Sequence, residues 1–416
     1  MTDILILGGG LNGAALAAAL KDGPHSVLLL EPHPPFLPSH SGGGAGGEGA
    51  TLAPGATAAP SPVASRHPPP TGEGENVWDA RIYAYSPGNV EWIKTLGGWN
   101  DAVRAQAVHR MRIHGDDGGR LSFDALDAGL PELAWIAENS RLQYALWQSF
   151  AGHPNVRVLT SRAEAVTWGA PGTAHRLHLA DGETIQARLL VAADGAHSWL
   201  RDQAGIGFDA EDYRHIGVVA NFATERPHRG TAFQWFRADG VLAWLPLQGQ
   251  RISMVWSTPP EHAAELQALP HAELARRVAA AGAHALGELR LITPPAGFPL
   301  VRRRAHEWVR PGLALLGDTA HTVHPLAGQG VNLGFRDSRL LAQMLKSGGD
   351  PGEIGRLTSY AARRFEDVAS MQFTTGALKK LFARPDGLTR TLRNLGLDLA
   401  DRIGPLNQAL TRHAIL

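Results

Sequence analysis

The 416-residue chain has no cysteine, no excess of charge of either sign and no long apolar run. The absence of cysteine excludes disulfides, thiol catalysis, iron–sulfur clusters and cysteine-built zinc sites, and it is typical of a reducing compartment. Because 39 Lys and Arg residues balance 39 Asp and Glu residues, the chain lacks the basic excess of a nucleic-acid-binding protein. No apolar run reaches the roughly 18 residues of a membrane-spanning helix. The N-terminus enters a strand without a basic segment, so we expect no signal peptide and a soluble, cytoplasmic protein.

Glycine and proline are concentrated in one segment near the N-terminus. Residues 32–72 hold 10 prolines and 8 glycines among 41 residues. A segment of this composition buries too little apolar surface to offset the entropy lost on ordering. The composition therefore predicts a flexible insertion over residues 32–76.

Outside this segment the hydrophobic pattern is that of a mixed α/β protein. The apolar runs Ile4–Leu7 and Val27–Leu30 flank an alanine-rich helix over Leu11–Leu20, which predicts a βαβ unit with two parallel strands. Two further buried strands are predicted over Arg188–Ala193 and Leu313–Leu316.

Aromatic residues mark a second sheet. The segments Thr231–Leu247 and Gln250–Ser257 alternate apolar and polar side chains, which predicts antiparallel strands. Their aromatic side chains either pack the sheet against helices or line an apolar pocket, and we expect some of them to reach the pocket. They are Phe233, Trp235, Phe236, Trp244 and Trp256. From Ser338 onward we expect mainly helix.

The first βαβ unit carries a dinucleotide-binding fingerprint. Gly8, Gly10 and Gly13 form a G-x-G-x-x-G pattern between strand and helix. The first glycine allows a tight turn, the second lets a pyrophosphate approach the backbone, and the third lets the helix pack on the strand. Glu31 ends the second strand, where a carboxylate accepts hydrogen bonds from an adenosine ribose. The pattern predicts an adenine dinucleotide and does not choose between FAD and NAD.

Two further motifs follow predicted strands and favour FAD. Ala193–Arg201 reads ADGAHSWLR, and Gly317–Asn332 reads GDTAHTVHPLAGQGVN. Both would lie at the carboxyl ends of strands, where open α/β sheets bind ligands. Asp318 suits the ribityl hydroxyls of FAD, and Gly328 and Gly330 let the backbone approach an isoalloxazine ring.

A helix is predicted to begin near Gly330. Its positive end would point at the part of the flavin where negative charge develops on reduction. Pro325 fixes the turn before this helix. His321 and His324 resemble metal ligands in their spacing, but no third ligand stands near them, and a structural role beside the flavin is the favoured interpretation.

In this order and spacing the three motifs resemble the aromatic-ring flavin monooxygenases related to p-hydroxybenzoate hydroxylase, in which all three surround one FAD. More narrowly, the chain is similar to the 2-polyprenylphenol hydroxylases of ubiquinone biosynthesis. The matching stretches are Ile136–Asn139, Tyr144–Trp147, Leu242–Leu247 and His324–Gly334. The resemblance covers nearly the whole chain apart from residues 32–72.

The resemblance implies an α/β fold. A Rossmann-like FAD-binding domain with a parallel sheet would be interleaved with a mainly antiparallel β-sheet substrate domain, followed by a helical C-terminal region. The implied boundaries are 1–81, 137–205 and 301–345 for the FAD-binding domain, 82–136 and 206–300 for the substrate domain, and 346–416 for the C-terminal region.

The resemblance also assigns roles to single residues. Arg81 would contact the FAD phosphates, Asn139 would make a polar contact with FAD, and Asp194 belongs to a motif linked to both FAD and NAD(P)H. The predicted cofactor-binding set is Gly8, Gly10, Gly13, Glu31, Arg81, Asn139, Asp194, Gly195, Asp318, Pro325, Gly328, Gly330, Val331 and Asn332. No metal ligand and no catalytic side chain is predicted.

The implied reaction is hydroxylation of a polyprenylphenol ring. NAD(P)H reduces FAD, O2 adds to the reduced flavin to give a C4a-hydroperoxide, and the ring attacks its distal oxygen. A base that deprotonates the phenol would help, because phenolate is the more nucleophilic ring, but the sequence does not identify one. The stretches Glu138–Ser140 and Gly195–Arg201 are slightly more similar to the C5 hydroxylases than to the C1 or C6 enzymes.

Alternatives remain open for the partners and for the chemistry. The stretch Gln372–Leu416 has seven Lys or Arg residues against three Asp and is amphipathic. It either packs on the FAD-binding domain or makes a peripheral contact with the inner face of a membrane or with a quinone-biosynthesis complex. The chain could also be an FAD oxidoreductase with a different aromatic or lipid substrate, although the absence of lysine between Lys21 and Lys94 disfavours a halogenase. A non-catalytic subunit of a quinone-biosynthesis complex is disfavoured by the intact motifs.

Overall fold

The computed structural model describes residues 1–35, 78–116, 118–323 and 329–383, with side chains in the last range from 330 to 371. Most of the predicted insertion and the predicted membrane- or partner-contacting stretch after residue 371 therefore lie outside the residues whose side chains are described.

The described residues form twenty strands and eight α-helices. The strands are β1 (Thr2–Leu7), β2 (Val27–Leu30), β3 (Ile82–Tyr85), β4 (Gln106–Val108), β5 (Arg110–His114), β6 (Arg120–Asp124), β7 (Ala134–Glu138), β8 (Val156–Leu159), β9 (Ala163–Thr167), β10 (His175–Leu179), β11 (Thr184–Ala192), β12 (Phe208–Thr224), β13 (Thr231–Arg237), β14 (Gly240–Leu247), β15 (Arg251–Thr258), β16 (Leu289–Leu291), β17 (Ala296–Ala305), β18 (Val309–Arg310), β19 (Leu313–Leu315) and β20 (His321–Thr322). The helices are α1 (Leu11–Leu20), α2 (Pro87–Thr95), α3 (Asn139–Gln148), α4 (Trp199–Gln203), α5 (Pro260–Ala268), α6 (His271–Ala281), α7 (Gln329–Leu345) and α8 (Ile354–Ala383).

Five parallel strands form the centre of the first sheet, in the order β19-β11-β1-β2-β8. Strands β18, β10 and β9 extend it by antiparallel pairing. Helix α1 has the predicted bounds, and its alanines are almost fully buried, because small side chains let neighbouring helices approach it closely. The predicted βαβ unit and α/β class are confirmed.

The second sheet has nine strands, in the order β20-β17-β12-β15-β14-β13-β5-β6 with β16 beside β12. All its pairs are antiparallel except β13 with β5. Helices α5 and α6 cover one face, where Trp244 and Trp256 pack with Leu266, Leu274 and Val278. The segment predicted to hold antiparallel strands over residues 231–247 is the hairpin of β13 and β14.

A small antiparallel sheet, β3-β7-β4, completes the described fold. The helical prediction after residue 338 is confirmed as far as residue 383 by α7 and α8. Among the described helices, none combines the length and apolar character that crossing a bilayer requires. The division into domains by residue range stays a prediction.

Candidate cofactor and substrate site

The three glycine-containing motifs meet at one edge of the parallel sheet. They follow β1, β11 and β19, which are neighbours, so their carboxyl ends lie side by side. The first turn contacts the second at Gly8, because a Cβ added to Gly8 would lie only 2.4 Å from the Ala193 carbonyl oxygen. The second and third turns are joined by the Gly195 N–H, which donates to Thr319 Oγ1 at 3.1 Å.

The first and third turns are joined by Asn12. A Cβ on either Gly317 or Gly334 would lie 2.2 Å from Asn12 Nδ2, so a side chain at either position would displace this amide. The Asn12 carbonyl oxygen also accepts a bond from Ser338 Oγ at 3.1 Å. The convergence of three distant motifs at one edge, which the sequence predicts, is therefore present in the fold.

The first turn leaves room for an anion at the start of α1. Gly8 has a φ of +101°, and a Cβ on Gly13 would lie 1.9 Å from the Gly8 carbonyl oxygen. A Cβ on Gly10 would meet nothing within 4 Å, and among the described residues no side chain caps the helix. An uncapped helix N-terminus beside this open space is a ready site for a pyrophosphate.

Helix α3 and Glu31 fix the backbone of this turn. Glu31 Oε2 accepts a bond from the Gly9 N–H at 2.8 Å, and its other oxygen accepts one from the His33 N–H at 2.9 Å. The Gly9 carbonyl oxygen accepts bonds from Gln143 Nε2 and Trp147 Nε1, both at 2.8 Å. No role for Gln143 or Trp147 could be predicted from the sequence, because their partner lies more than 130 residues away along the chain.

In the second turn, Asp194 braces the backbone. Its carboxylate accepts bonds from Ser198 Oγ at 2.5 Å and from the Leu200 N–H at 3.1 Å. Burial raises the pKa of Asp194, and these hydrogen bonds oppose the rise. The φ of +88° at Gly195 shows why glycine follows it. The Asp194 carboxylate, which the resemblance links to the cofactor, therefore holds the second turn in shape through these bonds.

In the third turn, Asp318 lies in a cleft. Asp318 is exposed to solvent, but many protein atoms surround its carboxyl group. The resulting loss of hydration raises the pKa of this group. The negative Asp337 raises the pKa further, while His321, Arg303 and Arg81 oppose the rise. A carboxylate in this position is a suitable acceptor for ligand hydroxyl groups.

A buried ion network supports the third turn from behind. Asp337 accepts bonds from the Gly317 N–H at 3.0 Å, His321 Nε2 at 2.7 Å and Arg364 Nε at 2.5 Å. Burial alone would raise the pKa of Asp337, but His321 and Arg364 outweigh it and hold the pKa below its usual range. His321 is thus engaged within the protein, as the favoured interpretation has it. Among the described residues, no three His, Asp or Glu side chains stand close enough to bind a metal ion.

Helix α7 begins at Gln329, beside the predicted Gly330, and is tied to β3 by Asn332. Asn332 Nδ2 donates to the Ala84 carbonyl oxygen at 2.8 Å, and its Oδ1 accepts from the Ser86 N–H at 2.9 Å. This side chain, predicted to bind cofactor, therefore orients the helix, while Val331 is partly buried against the core. The predicted residues Pro325 and Gly328 and the histidine at 324 lie outside the described residues.

Arg81 and Asn139 are neighbours, as expected of two contacts to one ligand. The Asn139 N–H donates to the Arg81 carbonyl oxygen at 2.9 Å. Asp79 accepts bonds from the backbone N–H groups of Arg81 at 2.8 Å and Ser140 at 3.0 Å. The Arg81 guanidinium lies 5.4 Å from the ring centre of Phe298 on β17, so Arg81 bridges the cleft to the second sheet.

Part of the face of the second sheet opposite α5 and α6 is turned toward this cleft, and we refer to this part as the cleft face; Ala232 and Leu247, on the same side of the sheet, pack instead against the small β3-β7-β4 sheet. Asn221 on β12 donates to the Asp79 carbonyl oxygen at 2.8 Å, and its neighbours on the face alternate with the aromatic core residues. Most of these neighbours are small or uncharged: Gly217, Val219, Ala243, Ser253, Val255 and Ser257.

The interpretation that these aromatics pack the sheet against helices is confirmed for four of the five, and fewer of them reach the cleft than expected. Phe233, Trp235, Trp244 and Trp256 all belong to the core on the helix side. Strand alternation puts only Phe236 on the opposite face. The sequence signal for the cleft face was present, since its small residues alternate with the tryptophans, but nothing local showed which face meets the cofactor.

Comparison with known proteins decides the family. A family model described as an FAD binding domain matches residues 87–372. The 3-demethoxyubiquinol 3-hydroxylase of Escherichia coli is 34% identical over 423 residues, which cover 100% of this chain and 98% of that protein. The ubiquinone hydroxylase UbiL of Rhodospirillum rubrum is 33% identical over 427 residues, covering 100% of this chain and 90% of that one. The chain belongs to the ubiquinone-biosynthesis family of FAD-dependent monooxygenases.

A solved structure supports the fold of this FAD-dependent monooxygenase. PqsL of Pseudomonas aeruginosa, in complex with 2-aminobenzoylacetate, superimposes with a TM-score of 0.73 at 21% identity and covers 95% of this chain and 99% of that one. The residues described above fit FAD: an uncapped helix N-terminus for the pyrophosphate, an acidic residue in a cleft for the ribityl chain, and a face of small residues beside the cleft.

Proposed function

We propose that this protein hydroxylates the ring of a polyprenylphenol in ubiquinone biosynthesis, with FAD as cofactor, NAD(P)H as reductant and O2 as oxygen source. The names of its relatives support the substrate class. The observation that carries the proposal is the meeting of the three turns beside the cleft face, which gives FAD and an apolar ring adjoining sites.

The chain's own residues divide the work of binding. The N-terminus of α1 would hold the pyrophosphate, Glu31 the adenosine ribose and Asp318 the ribityl hydroxyls. Arg81 and Asn139 would complete the contacts from β3 and α3. Bound FAD, once reduced, supplies the activation of O2 and the transfer of one oxygen atom to the ring.

The cleft face would receive the aromatic ring of the substrate. Val219, Ala243 and Val255 are only partly buried, so their apolar surface is available to a ligand. A ring placed against them displaces water, and exclusion of water protects reactive oxygen chemistry from side reactions. The same apolar character suits the beginning of a prenyl chain.

The proposal is tested with the purified, FAD-loaded protein and a short-chain prenylphenol. We expect substrate-stimulated oxidation of NAD(P)H and one oxygen atom from isotope-labelled O2 in the product. Oxidation of NAD(P)H without labelled product would favour another FAD oxidoreductase. Failure to bind any FAD would favour the non-catalytic subunit.

The ring position is tested in cells. The sequence favours C5, whereas the Escherichia coli relative is named for 3-hydroxylation. Expression in strains blocked at each quinone hydroxylation step, with identification of the accumulated intermediate, shows which carbon is hydroxylated. Truncation before residue 372, followed by a vesicle-binding assay, tests the proposed peripheral membrane contact of the C-terminal region.

A further inference from the structure

We propose that Gln234 binds the phenolic hydroxyl group of the substrate through its side-chain amide, and that this bond determines which edge of the ring faces the cofactor. The inference rests on the proposed hydroxylation of a phenol and adds a residue that determines the orientation of the substrate. It starts from a buried amide that has no hydrogen-bond partner among the described residues.

Gln234 lies in the middle of β13 and is only 6% exposed. Its side-chain amide can donate two hydrogen bonds and accept two. In the part of the chain that the structure describes, this amide makes no hydrogen bond. An unpaired amide buried in this way costs free energy, and a ligand that completes its hydrogen bonds recovers that free energy.

The neighbours of Gln234 in the sheet cannot pair with the amide. Its cross-strand partners are Ala243 on β14 and Ile113 on β5, whose side chains are aliphatic. The nearest residues on the same face of β13 are Ala232 and Phe236, which are apolar as well. The partner of the amide therefore comes from outside the sheet.

Gln234 shares a row with the residues that would contact the substrate ring. The row crosses the sheet from Val219 on β12 through Val255 and Ala243 to Gln234. Strand alternation turns Gln234 away from the helix-side core, to which both of its neighbours along the chain belong. The amide is therefore the polar end of an apolar row on the cleft face.

The position of this row explains why the amide is buried. Ala232 and Leu245, two residues away along β13 and β14, pack against the small β3-β7-β4 sheet. The row of Gln234 lies at the border of the part that this small sheet covers. A side chain at such a border is shielded by protein on one side and can meet a ligand on the other.

The opposite end of the row lies toward the cofactor. Val219 pairs with Ala296 on β17, two residues from Phe298, whose ring centre is 5.4 Å from the Arg81 guanidinium. Three strand spacings separate β12 from β13, and neighbouring strands lie about 4.8 Å apart, so this part of the row spans about 14 Å. This length accommodates a substituted ring between Gln234 and the cofactor.

The other polar side chains of this face are less suited to bind the ring. The Ser257 hydroxyl contacts a histidine ring on β12 at 3.2 Å. The Asn221 amide already donates to a backbone carbonyl, and its Oδ1 atom, like Ser253 Oγ, is wholly buried. Gln234 is therefore the polar side chain best placed to bind a ring that lies on this row.

A carboxamide matches a phenolic hydroxyl group. Its N–H donates to the phenolic oxygen, or its carbonyl oxygen accepts the phenolic O–H. Contacts with Val219 and Val255 are apolar and do not distinguish one edge of a ring from another. A hydrogen bond at one end of the row supplies this direction, because the edge opposite the bonded oxygen then faces the cofactor.

The test replaces Gln234 with methionine, which has a similar length and no amide. FAD-loaded enzyme is titrated with a short-chain prenylphenol and with the prenylbenzene that lacks the hydroxyl group, and the change in flavin absorption reports binding. We expect the wild-type enzyme to bind the phenol about tenfold or more tightly than the prenylbenzene. Gln234→Met should weaken binding of the phenol by about that factor and remove the preference.

Gln267→Met is the matched control. Gln267 lies on α5, on the opposite side of the same sheet, and its Nε2 donates to the Ala263 carbonyl oxygen at 3.1 Å. This variant should keep the wild-type preference for the phenol. Urea unfolding of the apoproteins separates binding from structure: Gln234→Met loses no hydrogen bond to a described residue, so its free energy of unfolding should equal or exceed that of the wild type.

Product analysis tests the orientation of the ring. With NAD(P)H and isotope-labelled O2, the wild-type enzyme should give one hydroxylated isomer. Gln234→Met should give more than one isomer and a smaller yield of labelled product for each NAD(P)H oxidised, because the ring no longer has a fixed direction.

An unchanged preference for the phenol in Gln234→Met would overturn the inference. So would a loss of unfolding free energy with equal weakening of both ligands, which would indicate a structural role. If Gln234→Met does not fold, Gln234→Asn, whose amide is one methylene shorter, replaces it, and wild-type phenol affinity with a single isomer would then contradict the inference. Absence of labelled product from the wild-type enzyme would instead contradict the proposed function, since the binding preference is measured without turnover.

Discussion

The first sheet presents its site at an edge, in three turns that follow β1, β11 and β19, whereas the second presents its site on a face built by four antiparallel strands. At the edge, backbone atoms limit the space available to a side chain. A Cβ on Gly13, for example, would lie only 1.9 Å from the Gly8 carbonyl oxygen. On the face, side chains such as those of Val219 and Ala243 limit the space available to a ligand. Substitutions that meet backbone atoms at the edge should therefore affect folding and cofactor together, and substitutions on the face should affect the substrate alone.

Gly13→Ala has the largest expected effect. Its methyl group would overlap the Gly8 carbonyl oxygen, and neither the strand nor the helix can move far, so we expect a loss of about 3 kcal/mol or more in unfolding free energy. Urea unfolding and visible flavin absorption measure the effect. Gly10→Ala is the matched control, since its methyl group meets only open space; it should fold normally and lose FAD affinity. Equal stability of the two variants would break the proposed contrast.

Trp244→Ala tests the helix side of the second sheet. The indole is fully buried, and its removal leaves a large cavity, which costs about 3–5 kcal/mol. Ala243→Val, on the neighbouring residue but on the cleft face, should leave unfolding free energy within about 1 kcal/mol of wild type and raise KM for the substrate. A raised KM for Trp244→Ala with unchanged stability would mean that the two faces have been interchanged.

Asp337→Asn tests the support of the third turn. Arg364 and His321 lose their buried partner charge, so we expect a loss of about 3 kcal/mol. Because the folded-state pKa of Asp337 is lowered, its contribution is fully present above the ordinary carboxyl pKa and is lost as pH falls through the lowered value. Unfolding measured across acid pH should show a smaller pH dependence in the variant. A curve parallel to that of wild type would contradict this network.

Asp318→Asn has the smallest expected effect on stability. Unlike the other substitutions, it is expected to raise the free energy of unfolding. The folded-state pKa of Asp318 is raised, so its charge disfavours the folded apoprotein at neutral pH, and the variant should be slightly more stable without FAD. Its FAD affinity should fall about tenfold or more, because a charged acceptor is lost. Thermal unfolding of the apoprotein and FAD titration measure the two quantities. Normal FAD affinity would remove Asp318 from the cofactor site.

The sequence predicted the edge better than the face because the edge depends on short motifs. Helix α1 and the turns at Gly8, Asp194 and Asp318 follow from patterns within about 20 residues. Asp337 and Arg364 are 27 residues apart, and Gln143 meets Gly9 across 134 residues, so neither contact has a local signal. The choice of face depends on strand register, which forms only when the whole sheet is paired.

The most direct test of the central claim is an experimental structure of the FAD-loaded protein. We expect one FAD with its pyrophosphate at the N-terminus of α1, its ribityl chain at Asp318 and its ring system beside the cleft face of the second sheet. FAD that contacts only one of the three turns, or a ring system on the side of α5 and α6, would contradict it.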